Sequence, residues 1–175
     1  MRVLAFDPGA TTGYAVMARA SRGLVLEAAG TFIYRREQTG NDIWDAIRRH
    51  SPILIVVEDW ENQGKQVDMH SIWPNRIIGQ VEAYANLLGI HIARVGASLW
   101  KPSFSASAGL LKMPLPVRLE AKQRGVAQRL RLELGSWPAA LYDMSDDTLR
   151  HAVDAAGLAC WMMLTSGRNG YAAVD

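Results

Sequence analysis

Cysteine is all but missing from this chain of 175 residues. Cys160 stands alone, so no internal disulfide is available and nothing points to an oxidising compartment. Long apolar runs are missing too. The longest, Leu158 to Leu164, falls far short of the about 20 residues that a membrane-spanning helix needs, so no membrane partner is expected. No secretory signal is visible, because Met1-Arg2 leads straight into a strand-like segment ending at Asp7. Repeats and low-complexity blocks are lacking, and neither sign of charge dominates, the net charge being +2. These absences leave a cytoplasmic globular chain of one domain, expected over residues 1–166, with a flexible tail at 167–175. Lysine is scarce beside arginine. Arg118, Lys122, Arg124, Arg129 and Arg131 crowd into one segment against only Glu120 and Glu133, which suits phosphate contacts and equally suits a solvated helix face.

What is present reads as alternating strands and helices. Val3 to Phe6 is a compact apolar run closed by the turn Asp7-Pro8-Gly9. Gly13 to Ala18 and Leu24 to Tyr34 continue it as an antiparallel meander. Asn41 to His50 carries Ile43, Trp44 and Ile47 at helical spacing and is stopped by Ser51-Pro52. Ile53 to Val57 is a continuous β-branched run, as expected of a strand buried on both faces. Glu58 to Trp73 reads as a long polar loop, and Pro74 to Leu88 as a helix begun by proline and ended by Gly89. His91 to Val95 makes a fifth strand and Ser103 to Pro116 a loop. Leu119 to Leu134 reads as a basic helix in spite of Gly125, and a last helix is capped by Ser145 and runs to about Leu164. The order predicts an α/β chain with a mixed sheet flanked by helices.

Two of these strands end in a carboxylate, Asp7 and Glu58. If the strands lie parallel and adjacent, both acids emerge at the edge where open sheets place their sites. Each also has a plain reading, as a turn residue or as a strand's emergence into water. On the last helix His151 and Asp154 are three residues apart and share a face, among Ala152, Ala155, Ala156 and Ala159. Asp154 lies beyond the first turn, where the helix dipole no longer rewards a negative charge, and on a packing face it needs a partner. A metal is one partner; an arginine or solvent is another. Asp7, Glu58, His151 and Asp154 are a suitable ligand set for hard divalent cations, two of which about 4 Å apart can serve phosphodiester hydrolysis.

Three segments in order resemble the RuvC family of Holliday-junction resolvases within the RNase H-like fold. Phe6-Asp7-Pro8-Gly9-Ala10-Thr11-Thr12-Gly13-Tyr14-Ala15 resembles its first motif and Val56-Val57-Glu58 its second. His151-Ala152-Val153-Asp154-Ala155-Ala156-Gly157-Leu158-Ala159 resembles its last, where histidine can replace the first acid. The resemblance implies an RNase H-like mixed five-stranded sheet and a homodimer that nicks a four-way DNA junction symmetrically with two Mg²⁺ or Mn²⁺ ions per site. It implies that Asp7 bridges the ions while Glu58 holds one, and His151 and Asp154 the other. Lys101 resembles a family lysine near the scissile phosphate, and a second such lysine falls near Lys122 or Arg124. An aromatic wedge at the junction crossover would be Trp60 or Trp73, while Asp59 and Glu61 compete with Glu58 as ligands. The source would then be bacterial, or viral and acting in host cytoplasm.

In the Pro74 to Leu88 helix, Ile78, Val81, Ala85 and Leu88 form one apolar stripe and Ile77, Tyr84 and Leu87 another, a width that suits packing on both the sheet and a partner copy. Competing readings are an RNase H-like nuclease acting on another nucleic acid and a non-catalytic junction-binding protein. Sugar kinases and actin-like ATPases share a pattern like Asp7-x-Gly9-x-Thr11, but need two lobes where this chain has length for one.

Overall fold

The structure is a computed structural model that describes residues 1–59, 69–105 and 121–166, with the side chains of 69–71, 121 and 122 excepted. Its chain order is β1 (Arg2–Asp7), β2 (Thr11–Ala20), β3 (Gly23–Ile33), α1 (Thr39–His50), β4 (Leu54–Asp59), α2 (Met69–Leu88), β5 (His91–Gly96), α3 (Ala97–Ser105) and α4 (Ala121–Leu134). A short 3₁₀ turn (Ala139–Leu141) and α5 (Asp146–Ser166) complete it. The five strands form one mixed sheet in the order β3-β2-β1-β4-β5. The β1–β2 and β2–β3 pairs are antiparallel, whereas β1–β4 and β4–β5 are parallel, as connections through a helix require. This is the mixed, helix-flanked sheet that the pattern of elements predicts.

Strand alternation divides the core in two. Leu4, Phe6, Val16, Ile55 and Val57 face α1 and α2, where they meet Ile43, Ile47, Ile77, Ile78 and Val81. Val3, Ala5, Ala15, Met17 and Val56 face α3, α4 and α5. Small residues let α5 lie close on this second face: Ala152, Ala155, Ala156 and Ala159 are all fully buried. The closest approach is at Gly13, paired with Asp7 across the ladder, where a Cβ would stand 2.1 Å from the His151 carbonyl oxygen.

Several expectations are corrected. Trp73 lies on a helix rather than a loop, because α2 begins at Met69, and Pro74 sits inside it. A helix, α3, occupies Ala97–Ser105, so Lys101 is helical and Ser103 does not open a loop. Tertiary packing overrides Pro102 there: Trp100 and Phe104, one turn apart, are both buried, with ring centroids 6.2 Å apart. Gly125 is tolerated in α4 because a Cβ at that position would come within 2.9 Å of the Ser105 side chain. The proposed interface stripes on α2 belong to the chain's own core: Ile77, Ile78, Val81 and Ala85 are at most 2% exposed, whereas Leu87 and Leu88 are 71% and 39% exposed. An α2 that covers two neighbouring strands and α1 needs an apolar surface this wide without any partner. The tail at 167–175 lies outside the described residues.

Candidate active site at the carboxyl edge of the sheet

The parallel register of β1 and β4 runs from Val3–Leu54 to Phe6–Val57. One residue further, each strand reaches its acid, Asp7 and Glu58. Alternation then sends both toward the α5 face, with Val3 and Ala5 on one strand and Val56 on the other. From α5, His151 Nδ1 comes within 3.2 Å of Asp7 Oδ2. The β1–β2 turn is held beside Asp7 by the buried Thr12, whose Oγ1 donates to the Gly9 carbonyl at 3.1 Å and accepts from the Gly9 N–H at 3.3 Å.

Lys101 closes the cluster from α3. Its Nζ lies 3.2 Å from the Glu58 carboxylate and 3.1 Å from Asp154 Oδ2. Asp154 thus has a lysine partner, not the arginine that stood as an alternative. Trp100, fully buried beside Lys101, donates its Nε1–H to Glu58 Oε2 at 2.9 Å. The buried Gln123 of α4 stands near Asp154 and favours its ionised form. Arg150 Nε donates to His151 Nε2 at 3.3 Å, which leaves Nδ1 as the nitrogen whose proton goes to Asp7. Both ring nitrogens are engaged, so one of these bonds must give way if His151 is to ligate an ion.

Negative charge is in excess here. Burial pushes the Glu58 carboxyl up to about 7; the charges of Asp7 and Asp154 add to the rise, while Lys101 and Trp100 oppose it. Asp154 is raised by burial and then by Asp7, against Lys101 and Gln123. Burial disfavours the Lys101 ammonium, but Asp154, Glu58 and Asp7 outweigh that and raise it, so it stays charged. One ammonium set against three carboxylates leaves the edge short of positive charge. Oxygen donors of this kind, with an imidazole beside them, fit Mg²⁺ or Mn²⁺. Among the described residues no three His, Cys, Asp or Glu side chains are grouped closely enough to hold an ion as they stand, Lys101 being inserted between Glu58 and Asp154.

The sequence matches no family model and no curated protein. Solved structures do match. Thermus thermophilus RuvC, in complex with a Holliday-junction substrate, superposes with a TM-score of 0.71 at 16% identity, covering 97% of this chain and 97% of that one. Fowlpox virus resolvase, in complex with Holliday-junction DNA, gives 0.62 at 12% identity, over 94% of this chain and 98% of that one. The yeast mitochondrial Holliday junction resolvase gives 0.59 at 14% identity, over 97% and 82%. The fold is RuvC-like. It is the RNase H-like architecture that the three motifs imply, matched over nearly the whole chain at low sequence identity.

On this RuvC-like frame the structure brings Asp7, Glu58, His151, Asp154 and Lys101 together and separates others from them. Asp59, next in β4, points away from the α5 face and is bound by Arg94 of β5, whose guanidinium also reaches Glu82 at 3.5 Å. It therefore does not compete with Glu58. Trp73 is half-buried outside both core clusters, stacked on Tyr34 at 4.4 Å with Arg76 5.4 Å from its ring. Arg124 is exposed on α4, whereas Arg129 is held by Glu133 at 2.5 Å and packs over Phe104, which marks it as structural. Trp60, Glu61, Arg118 and the Lys122 side chain lie outside the described residues. Trp100 and Gln123 escaped the reading of the sequence, and Gly13 entered it only within a motif and a strand, with no role of its own. The first two resemble ordinary helix residues until α3 and α4 are packed against α5, and the glycine carries no side chain to mark it.

Proposed function

We propose that the chain is a metal-dependent endonuclease that resolves four-way DNA junctions by paired, symmetric phosphodiester hydrolysis, acting as a homodimer. The observation that carries this reading is that Asp7 and Glu58 end adjacent parallel strands at an edge where Lys101 of α3 bridges Glu58 to Asp154 of α5 and His151 reaches Asp7, in a RuvC-like fold. The neighbours of that fold include proteins solved with Holliday-junction DNA. Asp7, Glu58, Asp154 and His151 would hold Mg²⁺ or Mn²⁺, two ions per site. Such ions supply a lowered pKa for attacking water and charge stabilisation for the leaving oxygen. The carboxylates orient and anchor. Lys101 brings a permanent positive charge to the same edge, suited to a scissile phosphate. Trp73 with Arg76, Arg124, Lys122 and Trp60 are the groups proposed to contact the junction, through stacking and phosphate pairing.

A non-catalytic junction-binding protein is the second reading, favoured by Lys101 standing as the cation between Glu58 and Asp154. A synthetic four-way junction incubated with and without Mg²⁺ separates the two. Paired nicks that need the metal and are lost in Asp7→Asn, with rates down by at least about 100-fold and junction binding kept, support the nuclease. Binding with no nicking under any divalent ion would leave the second reading. Equal nicking by Asp7→Asn would remove Asp7 from the chemistry.

A further inference from the structure

Two neutral donors stand behind the acids, one to each carboxylate that Lys101 bridges. Trp100 donates to Glu58 at 2.9 Å, and the buried Gln123 amide stands near Asp154 and favours its ionised form. Packing alone does not account for either. Gln123 is only 4% exposed, and its Oε1 is buried with no hydrogen-bond partner among the described residues. An orphaned buried carbonyl is destabilising, and a methionine of similar length would avoid it. Trp100 in turn needs Gly157 on α5. A Cβ at that glycine would come within 3.0 Å of the indole and 2.4 Å of Val126 Cγ1. The helix gives up a side chain where the indole lies.

Neutral donors differ from Lys101 in one respect that matters to a cation. They fix the carboxylate's rotamer and occupy one oxygen's lone pair, yet leave its full negative charge available. We propose that Trp100 and Gln123 are positioning residues that pre-set Glu58 and Asp154 for divalent-ion binding. This rests on the reading above that the edge binds Mg²⁺ or Mn²⁺. Neither residue touches the ion or the DNA; each acts through its carboxylate. On this assignment the unpaired Gln123 carbonyl is the cost of an amide N–H directed at Asp154.

The test uses the full chain and the metal alone. Mn²⁺ is titrated into the parent and Gln123→Met with free ion followed by electron paramagnetic resonance, and metal-free melting temperatures are compared. We expect Gln123→Met to bind Mn²⁺ about 10–100-fold more weakly, the usual cost of losing an outer partner, while melting at the parent's temperature or above it. Nicking by the variant should fall at limiting Mn²⁺ and return at saturating Mn²⁺, a pattern that a merely structural residue would not give. For Trp100 the readout is its indole N–H resonance in the unaltered protein, which should shift on Mg²⁺ addition and saturate with ion binding. A Gln123→Met protein with the parent's Mn²⁺ affinity, or a Trp100 resonance indifferent to Mg²⁺, overturns the assignment of that residue. A parent that binds no Mn²⁺ at all removes the metal reading, and this inference with it.

Discussion

His151 is the residue whose part in the cluster is least settled by its neighbours, since its two ring nitrogens are committed to Asp7 and Arg150. A neutral imidazole can ligate a metal, but aspartate offers an oxygen that Mg²⁺ prefers. His151→Asp is therefore expected to keep substantial nicking, within about 10-fold of the parent, whereas His151→Ala loses about 100-fold or more through the missing ligand. Single-turnover nicking of a labelled junction measures both. Activity of the alanine variant equal to the parent's would make His151 a packing residue. Asp7, Glu58, His151 and Asp154 stood out in the sequence through their places at strand ends or on one helix face and through the motifs they resemble. Trp100 and Gln123 did not, since a hydrogen bond between α3 and β4 or an approach of α4 to α5 leaves no trace in local spacing.

Among the elements, α5 decides the geometry of the site, and Gly13 decides where α5 rests. A methyl group there would meet the His151 carbonyl at 2.1 Å and the Ala152 nitrogen at 3.0 Å, both backbone atoms that cannot rotate away. Gly13→Ala must push the helix off β2, carrying His151 and Asp154 away from Asp7. Overpacking of this kind costs about 1–3 kcal/mol, so the variant should melt several degrees lower. Nicking should fall further than stability does, because a shift of about 1 Å in a catalytic cluster can cost about 100-fold. A thermal melt and a nicking assay on the same preparation check this, and an unchanged melt would show that the ladder absorbs the methyl group elsewhere. No helix was expected over Ala97–Ser105, which carries Pro102, a residue that disfavours helix interiors. Burial of Trp100 and Phe104 on the core outweighs that local preference.

At the scale of the whole molecule, crowded carboxylates tie stability to pH and, on the proposed reading, to metal. The Glu58 carboxyl ionises at about 7 in the folded, metal-free protein against a reference of 4.5. Between those values the native state holds a proton that the unfolded chain has released, so stability falls as pH rises through that window. Metal-free protein should therefore melt a few degrees lower at about pH 7.5 than at about pH 5. An ion that binds only the native state restores stability, and ionised carboxylates bind it better, so millimolar Mg²⁺ should raise the melting temperature more at the higher pH. Differential scanning fluorimetry reads this directly, and an equal Mg²⁺ increment at both pH values would contradict it. Assembly belongs to the same scale. With Ile78 and Val81 inside the core, charges placed there would unfold the monomer and report nothing about a partner. The exposed Leu87 and Leu88 are the apolar side chains that α2 offers outward. Sedimentation should show a dimer that Leu87→Glu weakens at least about 10-fold while the melting temperature is kept. A parent that sediments as a monomer and still makes paired nicks would refute the dimer.

The sequence by itself determined the alternation of strands and helices, the acids at the ends of β1 and β4, and the polar pair on one face of α5. All of these depend on periods of 2 and 3.6 residues that are written locally. Only the tertiary structure decided which carboxylates meet. Asp59 adjoins Glu58 in the chain, yet pleating turns it toward Arg94, and Lys101 lies between Glu58 and Asp154 because α3 is packed between the sheet and α4. The wide apolar surface of α2 likewise suited packing on both the sheet and a partner copy until the sheet and α1 were seen to cover all but Leu87 and Leu88 of its aliphatic stripes. Local periodicity says that a face is apolar or charged. What lies against that face is set by contacts between residues far apart in the chain, and these form only when the whole core closes.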